Sequence, residues 1–268
     1  MKILILLLTA FTLILDRGHA LASDLQGKLD VMMAELNKAI KINPNDAKAY
    51  GARGDIYLKE GDFDRAFADF NKALRIKPDF ADAYAARGSL YWNVKKDFEA
   101  AMRDFNKAIE LNPKDGKYYQ FRSGAFSDKG DYGQAISDYN KILALDPEYR
   151  KAYSLRGFAY LAQNKFKEAL ADINHAILDN QDVEQNYNNR CYILDKLGEY
   201  DKALIDCDNA IILDPGVADS FDTRAGVYLH LKSYEKSWAD IRKVNDLGGK
   251  PSADVLRELK KESGRDEE

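Results

Sequence analysis

An arginine recurs along this chain at an almost constant interval of 34 residues. Its six positions are Arg53, Arg87, Arg122, Arg156, Arg190 and Arg224, so one interval is 35 residues and the other four are 34. Most of the prolines keep the same period. A repeat of about 20 to 50 residues is typical of proteins in which each unit packs mainly against its neighbours in sequence. The chain is therefore expected to form a linear stack of similar units.

Each repeat contains two segments with the apolar spacing of a helix. In the first complete repeat, Tyr50, Gly54 and Tyr57 fall on one helix face at i, i+4 and i+7. A second apolar stripe of helical spacing begins at Phe63 and ends at Ala73, after the break in the sequence KEGD. The proline that follows ends the second helix, because proline cannot continue the hydrogen-bonding pattern. Each repeat is therefore predicted to be a helix–turn–helix hairpin.

This pattern resembles the tetratricopeptide repeat family, whose 34-residue motif has an aromatic residue, Leu-Gly, Tyr, Ala, an aromatic residue and a terminal Pro. The matching residues of the first repeat are Tyr50, Gly54, Tyr57, Ala66, Phe70 and Pro78. Tyr or Phe replaces the first Trp of the motif, and Arg replaces the Leu before Gly. The resemblance implies an all-α, right-handed superhelical solenoid of antiparallel helix pairs. It also implies that the first helices line a concave groove for peptides or helices of partner proteins.

The period predicts the organisation of nearly the whole chain. The expected segments are a signal peptide (1–22), an N-terminal helix or half repeat (23–46), six repeats (47–80, 81–115, 116–149, 150–183, 184–217 and 218–251), a capping helix (252–264) and a disordered tail (265–268). The extra residue of the 35-residue interval falls in YWNVKKDFEAA and is expected between two helices, where insertions cost least. In the capping helix, Val255, Leu256 and Leu259 are predicted to cover the last hairpin.

The first 22 residues have the order of a secretory signal. Lys2 precedes an apolar run over residues 3–15, and small residues lead up to Ala22. The run is shorter than the roughly 20 residues that a membrane-spanning helix needs. Cleavage after Ala22 would leave a chain that begins at Ser23, in the periplasm or outside the cell and without membrane attachment. In the rival interpretation the segment is retained, and the protein is a membrane-anchored assembly or secretion-system component.

A column of aspartates accompanies the column of arginines. The aspartates are Asp69, Asp104, Asp138, Asp172, Asp206 and Asp240, and in five of the six repeats they follow the arginine by 16 residues. Because the turn between the two helices lies midway, antiparallel helices would place the two side chains at the same height, where they could pair bidentately. Six copies of one pair indicate a structural ladder rather than a catalytic site.

The two cysteines of the chain, Cys191 and Cys207, are also 16 residues apart. Cys191 replaces the small residue that is glycine in several other repeats, and Cys207 replaces the aromatic residue or Ile on the facing helix. A disulfide is the favoured interpretation, since an exported chain meets an oxidising environment; two free core cysteines are the alternative. Zinc binding and thiol catalysis are disfavoured because further metal ligands and a tight C-x-x-C spacing are missing.

Nucleic-acid binding is not expected, and enzymatic activity is the third and least favoured interpretation. The sequence has no glycine-rich phosphate loop, no nucleophile elbow and no histidine-bearing metal motif, and it contains three histidines in all. No metal or cofactor is therefore predicted. The net charge is −4, and the lysines are interleaved with acids. This distribution does not favour phosphate neutralisation, which provides most of the affinity for nucleic acids.

A binding surface is predicted on the first helices, at positions outside the core columns. Its anchors are the aromatic residues Phe158 and Tyr192, ringed by amides and hydroxyls that could bond a peptide backbone. The predicted groove residues are Trp92, Gln120, Ser154, Phe158, Leu161, Asn188, Asn189 and Tyr192. In the alternative, Phe158 and Tyr192 pack between neighbouring repeats. Capture of a partner's terminal carboxylate, a mode known in the family, is disfavoured because Asp55, Asp82, Asp128 and Asp222 share this surface. The chain is thus interpreted as a scaffold for a protein or peptide partner.

Overall fold

The computed structural model describes residues 27–177 and 183–265. Within these ranges the backbone forms helices joined by short turns, and it forms no strand. None of the helices in the described ranges has the length and apolar character needed to cross a membrane. The predicted signal segment 1–22 lies outside the described residues, as do residues 266–268 of the predicted tail.

The chain divides into two compact units, the first ending at Phe121 and the second beginning at Arg122. Helix α1 is described over residues 27–42. It is followed by α2 (Ala47–Lys59), α3 (Phe63–Ile76), α4 (Ala81–Leu90), α5 (Phe98–Leu111) and α6 (Gly116–Asp128), within which the two units meet in sequence. The second unit continues with α7 (Tyr132–Leu145), α8 (Arg150–Ala162), α9 (Phe166–Ile177), α10 (Glu184–Lys196), α11 (Tyr200–Leu213), α12 (Ala218–His230), α13 (Tyr234–Asp246) and α14 (Ala253–Ser263).

Neighbouring helices pack as hairpins within each unit. In the first unit α2 packs against α3, and α4 packs against α5. In the second unit the corresponding pairs are α8 with α9, α10 with α11, and α12 with α13. Turns of a few residues join the two members of each pair, so the members run antiparallel. The predicted all-α chain built from antiparallel helix pairs is confirmed.

Aspartates and left-handed residues define the ends of the helices. Asp46 precedes α2, and its Oδ1 accepts a hydrogen bond from the backbone N–H of Ala49 at 3.0 Å. Asp62, Asp97 and Asp131 cap α3, α5 and α7 in the same way. Six turns between paired helices contain a residue with positive φ: Gly61, Lys96, Gly130, Asn164, Gly198 and Lys232. This left-handed residue lets the chain reverse direction within a few positions.

The extra residue of the long repeat is taken up differently from the sequence prediction. It was expected between two helices, but the chain continues from α4 directly into a π-helical turn at Tyr91–Lys95. A π turn holds one more residue than an α turn. The facing side chains Arg87 and Asp104 are 17 residues apart, yet they pair with the same geometry as the pairs that are 16 apart. The π turn thus absorbs the insertion without changing the register of the hairpin.

Close helix contact within the hairpins depends on small residues that face large ones. A Cβ atom added to Gly54 would lie 2.7 Å from the ring of Phe70, which is shorter than a normal contact. The same relation holds for Gly88 with Phe105 at 2.8 Å and for Gly157 with Ile173 at 2.9 Å. The facing large residues are fully buried. The glycines therefore set the distance between the two helices of a hairpin.

Candidate partner-binding cavity

The six arginines of the periodic column each form a forked ion pair. In every repeat Nε and Nη2 donate to the two carboxylate oxygens of the predicted aspartate at 2.6 to 2.8 Å. The six aspartates are buried, with 2 to 6% of their surface exposed. Such pairs fix the geometry of both side chains, so they hold the two helices of a hairpin in register.

A third contact of these arginines was missed by the sequence prediction. Nη1 of Arg53 donates to Oδ1 of Asn37, which lies on the preceding helix α1, at 2.8 Å. The equivalent bonds join Arg87 to Asn71, Arg156 to Asn140, Arg190 to Asn174 and Arg224 to Asp208 at 2.5 to 2.9 Å. From Asn71 onward these acceptors lie two residues after the aspartate of the same helix, so they form a further column with the same period. The arginine column therefore also joins successive hairpins within each unit.

The structure joins Cys191 of α10 to Cys207 of α11 by a disulfide bond. Both residues are fully buried. They occupy the positions that Gly157 and Ile173 hold in the preceding hairpin, so a crosslink here replaces a glycine packed against a large side chain. The disulfide lies beside Tyr192 in sequence. It therefore joins the helix that carries this predicted binding residue covalently to α11.

A cavity of about 430 Å³ lies in the second unit, beside the first helices of its last two hairpins and the final helix α14. This volume falls within the range of about 300–1,000 Å³ that is common for ligand sites. We call it the second-unit cavity. Its lining residues are Leu161, Asn188, Asn189, Tyr192, Asp195, Lys196, Asp219, Asp222, Thr223, Gly226, Leu229, His230, Ser252, Asp254, Val255 and Glu258.

Four of the eight predicted groove residues meet in the second-unit cavity: Leu161, Asn188, Asn189 and Tyr192. The side chain of Tyr192 remains 39% exposed, and the ammonium of Lys196 lies 4.9 Å from the centre of its ring. Oδ1 of Asn188 is buried, and no group of the described residues donates a hydrogen bond to it. A buried carbonyl oxygen without a partner is uncommon in native proteins, so it marks a position where a donor is expected.

The other two predicted residues of the second unit lie outside this cavity. Phe158 is 42% exposed, and its ring meets the ring of Tyr132 edge-on at 6.3 Å between centroids. The hydroxyl of Ser154 donates to Oδ1 of Asn186 at 2.6 Å, so it joins α8 to α10. Phe158 thus presents an exposed ring, whereas Ser154 already has a partner within the fold.

Acidic side chains dominate the polar part of the second-unit cavity. Asp195 is buried, and its carboxylate accepts a hydrogen bond from Nδ1 of His230 at 2.6 Å. Asp222 accepts a hydrogen bond from the backbone N–H of Ser252 at 2.9 Å, which ties the start of α14 to α12. Burial raises the pKa of the Asp222 carboxyl, and the nearby charge of Asp219 raises it further. The site therefore holds negative charge at some electrostatic cost.

Several of these residues were missed by the sequence prediction. Asp222 was recognised only as an acid that disfavours a terminal-carboxylate partner, and Asp219 was not considered. The two acids are spaced i, i+3 on α12, which places them on one face of the helix. That spacing was an available signal. The wall supplied by Ser252, Asp254 and Glu258 of the α14 segment lies outside the repeats, so the period could not predict it.

The first unit contains a separate, more apolar cavity of about 640 Å³, the first-unit cavity. The predicted residue Trp92 lines it from the π-helical turn, together with Phe80 and Phe121. Asp82 at its edge accepts from Nζ of Lys117 at 2.6 Å and from the hydroxyl of Tyr118 at 2.7 Å. Burial and this hydrogen bond raise the pKa of Tyr118 to about 12. The predicted residue Gln120 lies half-buried on α6 and does not line this cavity.

Four family models match the chain. One described as TPR repeat matches residues 54–94, and three described as tetratricopeptide repeat match residues 35–68, 81–115 and 127–189. Together these matches cover more than half of the chain. No curated protein gives a significant match.

Solved structures share the fold at low sequence identity. YrrB, described as a TPR protein with an unusual peptide-binding site, is 22% identical, with a TM-score of 0.61 over 74% of this chain and 97% of its own. PilF of Pseudomonas aeruginosa is 19% identical, with a TM-score of 0.65 over 81% of this chain and 96% of its own. A tetratricopeptide repeat protein from Parabacteroides merdae is 20% identical, with a TM-score of 0.59 over 90% of this chain and 94% of its own. The chain is a tetratricopeptide repeat protein, and its repeats support a role as a protein-interaction scaffold.

Proposed function

We propose that this protein is an exported, non-enzymatic scaffold that binds an extended segment or helix of a partner protein in the second-unit cavity. The observation that carries the proposal is the convergence of Leu161, Asn188, Asn189 and Tyr192 on one cavity. An aromatic anchor beside amide groups is a common composition of peptide-binding surfaces. YrrB, which has a related fold, is described as having a peptide-binding site, and this description is consistent with the proposal.

The polar groups of the cavity suit a peptide backbone. The buried Oδ1 of Asn188 accepts no hydrogen bond from the described residues. This oxygen has almost no accessible surface, so a partner could reach it only after rotation of the Asn188 amide, whereas the neighbouring amide of Asn189 lines the cavity and offers both a donor and an acceptor. Leu161 and the exposed ring of Tyr192 provide apolar contact area beside these groups. The cavity thus combines apolar contact area with amide groups.

Export is the second part of the proposal. Its support is the signal-like order of residues 1–22 together with the disulfide between Cys191 and Cys207. Disulfides persist in the periplasm and outside the cell, whereas the cytosol keeps thiols reduced. N-terminal sequencing of the protein isolated from its natural cells should give Ser23 as the first residue. A chain that still begins at Met1 would contradict cleavage and favour the membrane-anchored alternative.

Peptide binding is tested by selecting a random peptide library displayed on phage against the full chain with its disulfide intact. The proposal predicts recovered peptides whose binding is lost in Tyr192→Ser, because this change removes the apolar anchor. The matched control is Phe63→Ser, since Phe63 on α3 has the same 39% exposure and lies outside the second-unit cavity. Peptides that bind both variants with the same affinity as they bind the unchanged chain would contradict the proposed site.

A further inference from the structure

We propose that the segment bound in the second-unit cavity presents a lysine or arginine side chain to Asp219, Asp222 and Glu258. The inference rests on the proposed function and specifies its ligand: a basic peptide segment rather than an acidic or neutral one. Three features of the cavity carry it, namely its charge balance, the engagement of its own basic groups and its apolar surface beside the carboxylates.

Carboxylates outnumber basic groups around the second-unit cavity. Its acidic lining residues are Asp195, Asp219, Asp222, Asp254 and Glu258, whereas its basic lining residues are Lys196 and His230. The excess of negative charge is therefore local and larger than the small net charge of the whole chain implies. Complementary charge across an interface guides the encounter and selects among partners. A cationic segment matches this lining better than any other class of peptide.

The two basic groups of the cavity both serve the same acid. His230 donates from Nδ1 to Asp195 at 2.6 Å, and Nζ of Lys196 lies 3.3 Å from the other carboxylate oxygen. Lys196 also covers the ring of Tyr192. Asp195, which is buried, is thus already compensated within the fold. Neither basic group is left over to balance the remaining carboxylates.

Three of the remaining carboxylates have no cationic partner in the part of the chain that the structure describes. Asp254 accepts from Nη2 of Arg257 at 2.6 Å. In contrast, no lysine, arginine or histidine of the described residues lies within ion-pair distance of Asp219, Asp222 or Glu258. Asp222 accepts a hydrogen bond from the neutral backbone N–H of Ser252, which brings no positive charge. Asp219 and Glu258 are exposed, so they can meet an incoming side chain.

The electrostatic state of Asp222 agrees with this picture. Its pKa is raised by burial and by repulsion from Asp219, which means that the cavity in its free form stabilises the charged carboxylate poorly. A cation placed between the two acids would remove this repulsion. The fold supplies no such cation among the described residues, so we assign the role to the partner.

The apolar residues of the cavity suit the same class of ligand. Lysine and arginine carry their charge on long apolar stems. Tyr192 and Leu161 offer apolar surface against which such a stem can lie. One basic segment thus satisfies both the charge requirement at Asp219 and Asp222 and the apolar contact at Tyr192 and Leu161.

The test uses the peptides that depend on Tyr192 in the phage selection described above, synthesised and measured by isothermal titration calorimetry on the full chain. Each arginine is replaced in turn by citrulline, its neutral isostere, and each lysine by norleucine. At least one replacement per peptide should weaken binding about tenfold or more, because a charge pair loses one partner. Binding should also weaken as sodium chloride is raised.

A charge-neutral protein variant gives the reciprocal measurement. Asp219→Asn with Asp222→Asn keeps side-chain size and leaves an oxygen to accept the Ser252 N–H bond. The variant should bind the basic peptide about tenfold more weakly and should be insensitive to the citrulline or norleucine replacement, as expected for directly coupled groups. The control is Asp201→Asn with Asp246→Asn, which changes the net charge equally at exposed positions outside the cavity. This control should leave the affinity unchanged.

The outcomes separate this inference from the proposed function. The basic ligand would be overturned, with the peptide site left intact, if Tyr192-dependent peptides carried no basic residue. The same conclusion would follow if they bound equally well after neutralisation of the peptide's basic residues or of Asp219 and Asp222. Recovery of no Tyr192-dependent peptide would overturn both. Millimolar calcium chloride should not change the melting temperature of the unchanged chain relative to the double Asn variant. A rise in the unchanged chain alone would make the acids a metal site and contradict the inference.

Discussion

At the scale of single residues, the charge of Asp222 works against the fold that contains it. Burial and Asp219 raise its pKa, so the folded state binds a proton more readily than the unfolded state does. Protonation of this carboxyl therefore increases the stability of the folded state as the pH falls through the folded-state pKa, and this contribution is lost as the pH rises. Binding sites commonly tolerate such local costs, because the ligand relieves them.

Asp222→Asn should therefore leave the free energy of unfolding at neutral pH unchanged or increase it, while it weakens binding of a basic peptide. The asparagine oxygen still accepts the Ser252 N–H bond. The advantage of the variant over the unchanged chain should shrink as the pH is lowered through the raised pKa, because the aspartate then becomes neutral. Urea denaturation at neutral and at acidic pH measures the difference in stability and its change with pH. A variant that is clearly less stable at neutral pH would show that the charge supports the fold.

The Arg–Asp column illustrates how a buried ion pair acts at the residue scale. In the α8–α9 hairpin, removing Arg156 alone would leave Asp172 buried without its forked partner and Asn140 without its donor. An uncompensated buried charge is costly, whereas replacing both charges by apolar groups is often nearly neutral. The column is consistent with a role in fixing register.

Arg156→Met should lower the free energy of unfolding by about 3 kcal/mol. Arg156→Met combined with Asp172→Leu should recover most of that loss, because no buried charge then remains unpaired. Guanidinium denaturation of the two variants and the unchanged chain makes the comparison. A double variant as unstable as the single one would contradict a mainly electrostatic origin of the effect and would point to lost packing of the arginine stem.

At the scale of elements, the α10–α11 hairpin differs from its neighbours by its crosslink. The disulfide occupies the position where the preceding hairpin packs Gly157 against Ile173. The crosslink and the packing pair are therefore alternative ways to hold two helices together at the same place. The crosslink has the additional effect of restricting the unfolded chain, which stabilises the folded state.

Reduction of the disulfide should lower the free energy of unfolding by about 3 kcal/mol, as expected for a loop of this length. Cys191→Gly with Cys207→Ile recreates the packing of the preceding hairpin. It should therefore be more stable than Cys191→Ser with Cys207→Ser, which only removes the crosslink. Urea denaturation ranks the oxidised chain, the reduced chain and the two double variants. Thiol titration of the unfolded, unreduced chain should find no free thiol, and two free thiols would show that the crosslink is absent from the native protein.

The elements also show how far the sequence could predict the structure. The hairpins and the Arg–Asp pairs follow from a period that is visible in six copies, so local rules were sufficient for them. The π-helical turn at Tyr91–Lys95 was not predicted, because a single inserted residue does not reveal whether a loop or a helix will accommodate it. The column of acceptors Asn71, Asn140, Asn174 and Asp208 was visible in the sequence, but its contacts with the arginines cross from one hairpin to the next.

At the scale of the whole molecule, the candidate site depends on what the period does not contain. The repeats supply Leu161, Asn188, Asn189 and Tyr192, which the sequence placed on a common surface and the structure places in one cavity. The segment of α14 closes that cavity with Ser252, Asp254, Val255 and Glu258. These residues occur once, and their position depends on how the last helix packs. Trp92, predicted for the same surface, lines the first-unit cavity instead.

We propose that this chain is a scaffold whose partner lies against Tyr192. The most direct measurement replaces Tyr192 by the photoreactive residue benzoylphenylalanine in the protein made by its natural cells. The cells are then irradiated, and the crosslinked species are identified by mass spectrometry. The same replacement at Phe63, which is equally exposed, is the control. We predict a defined partner protein crosslinked through a segment rich in lysine or arginine at Tyr192 and not at Phe63. Identical crosslinking at both positions, or none at Tyr192, would contradict the account.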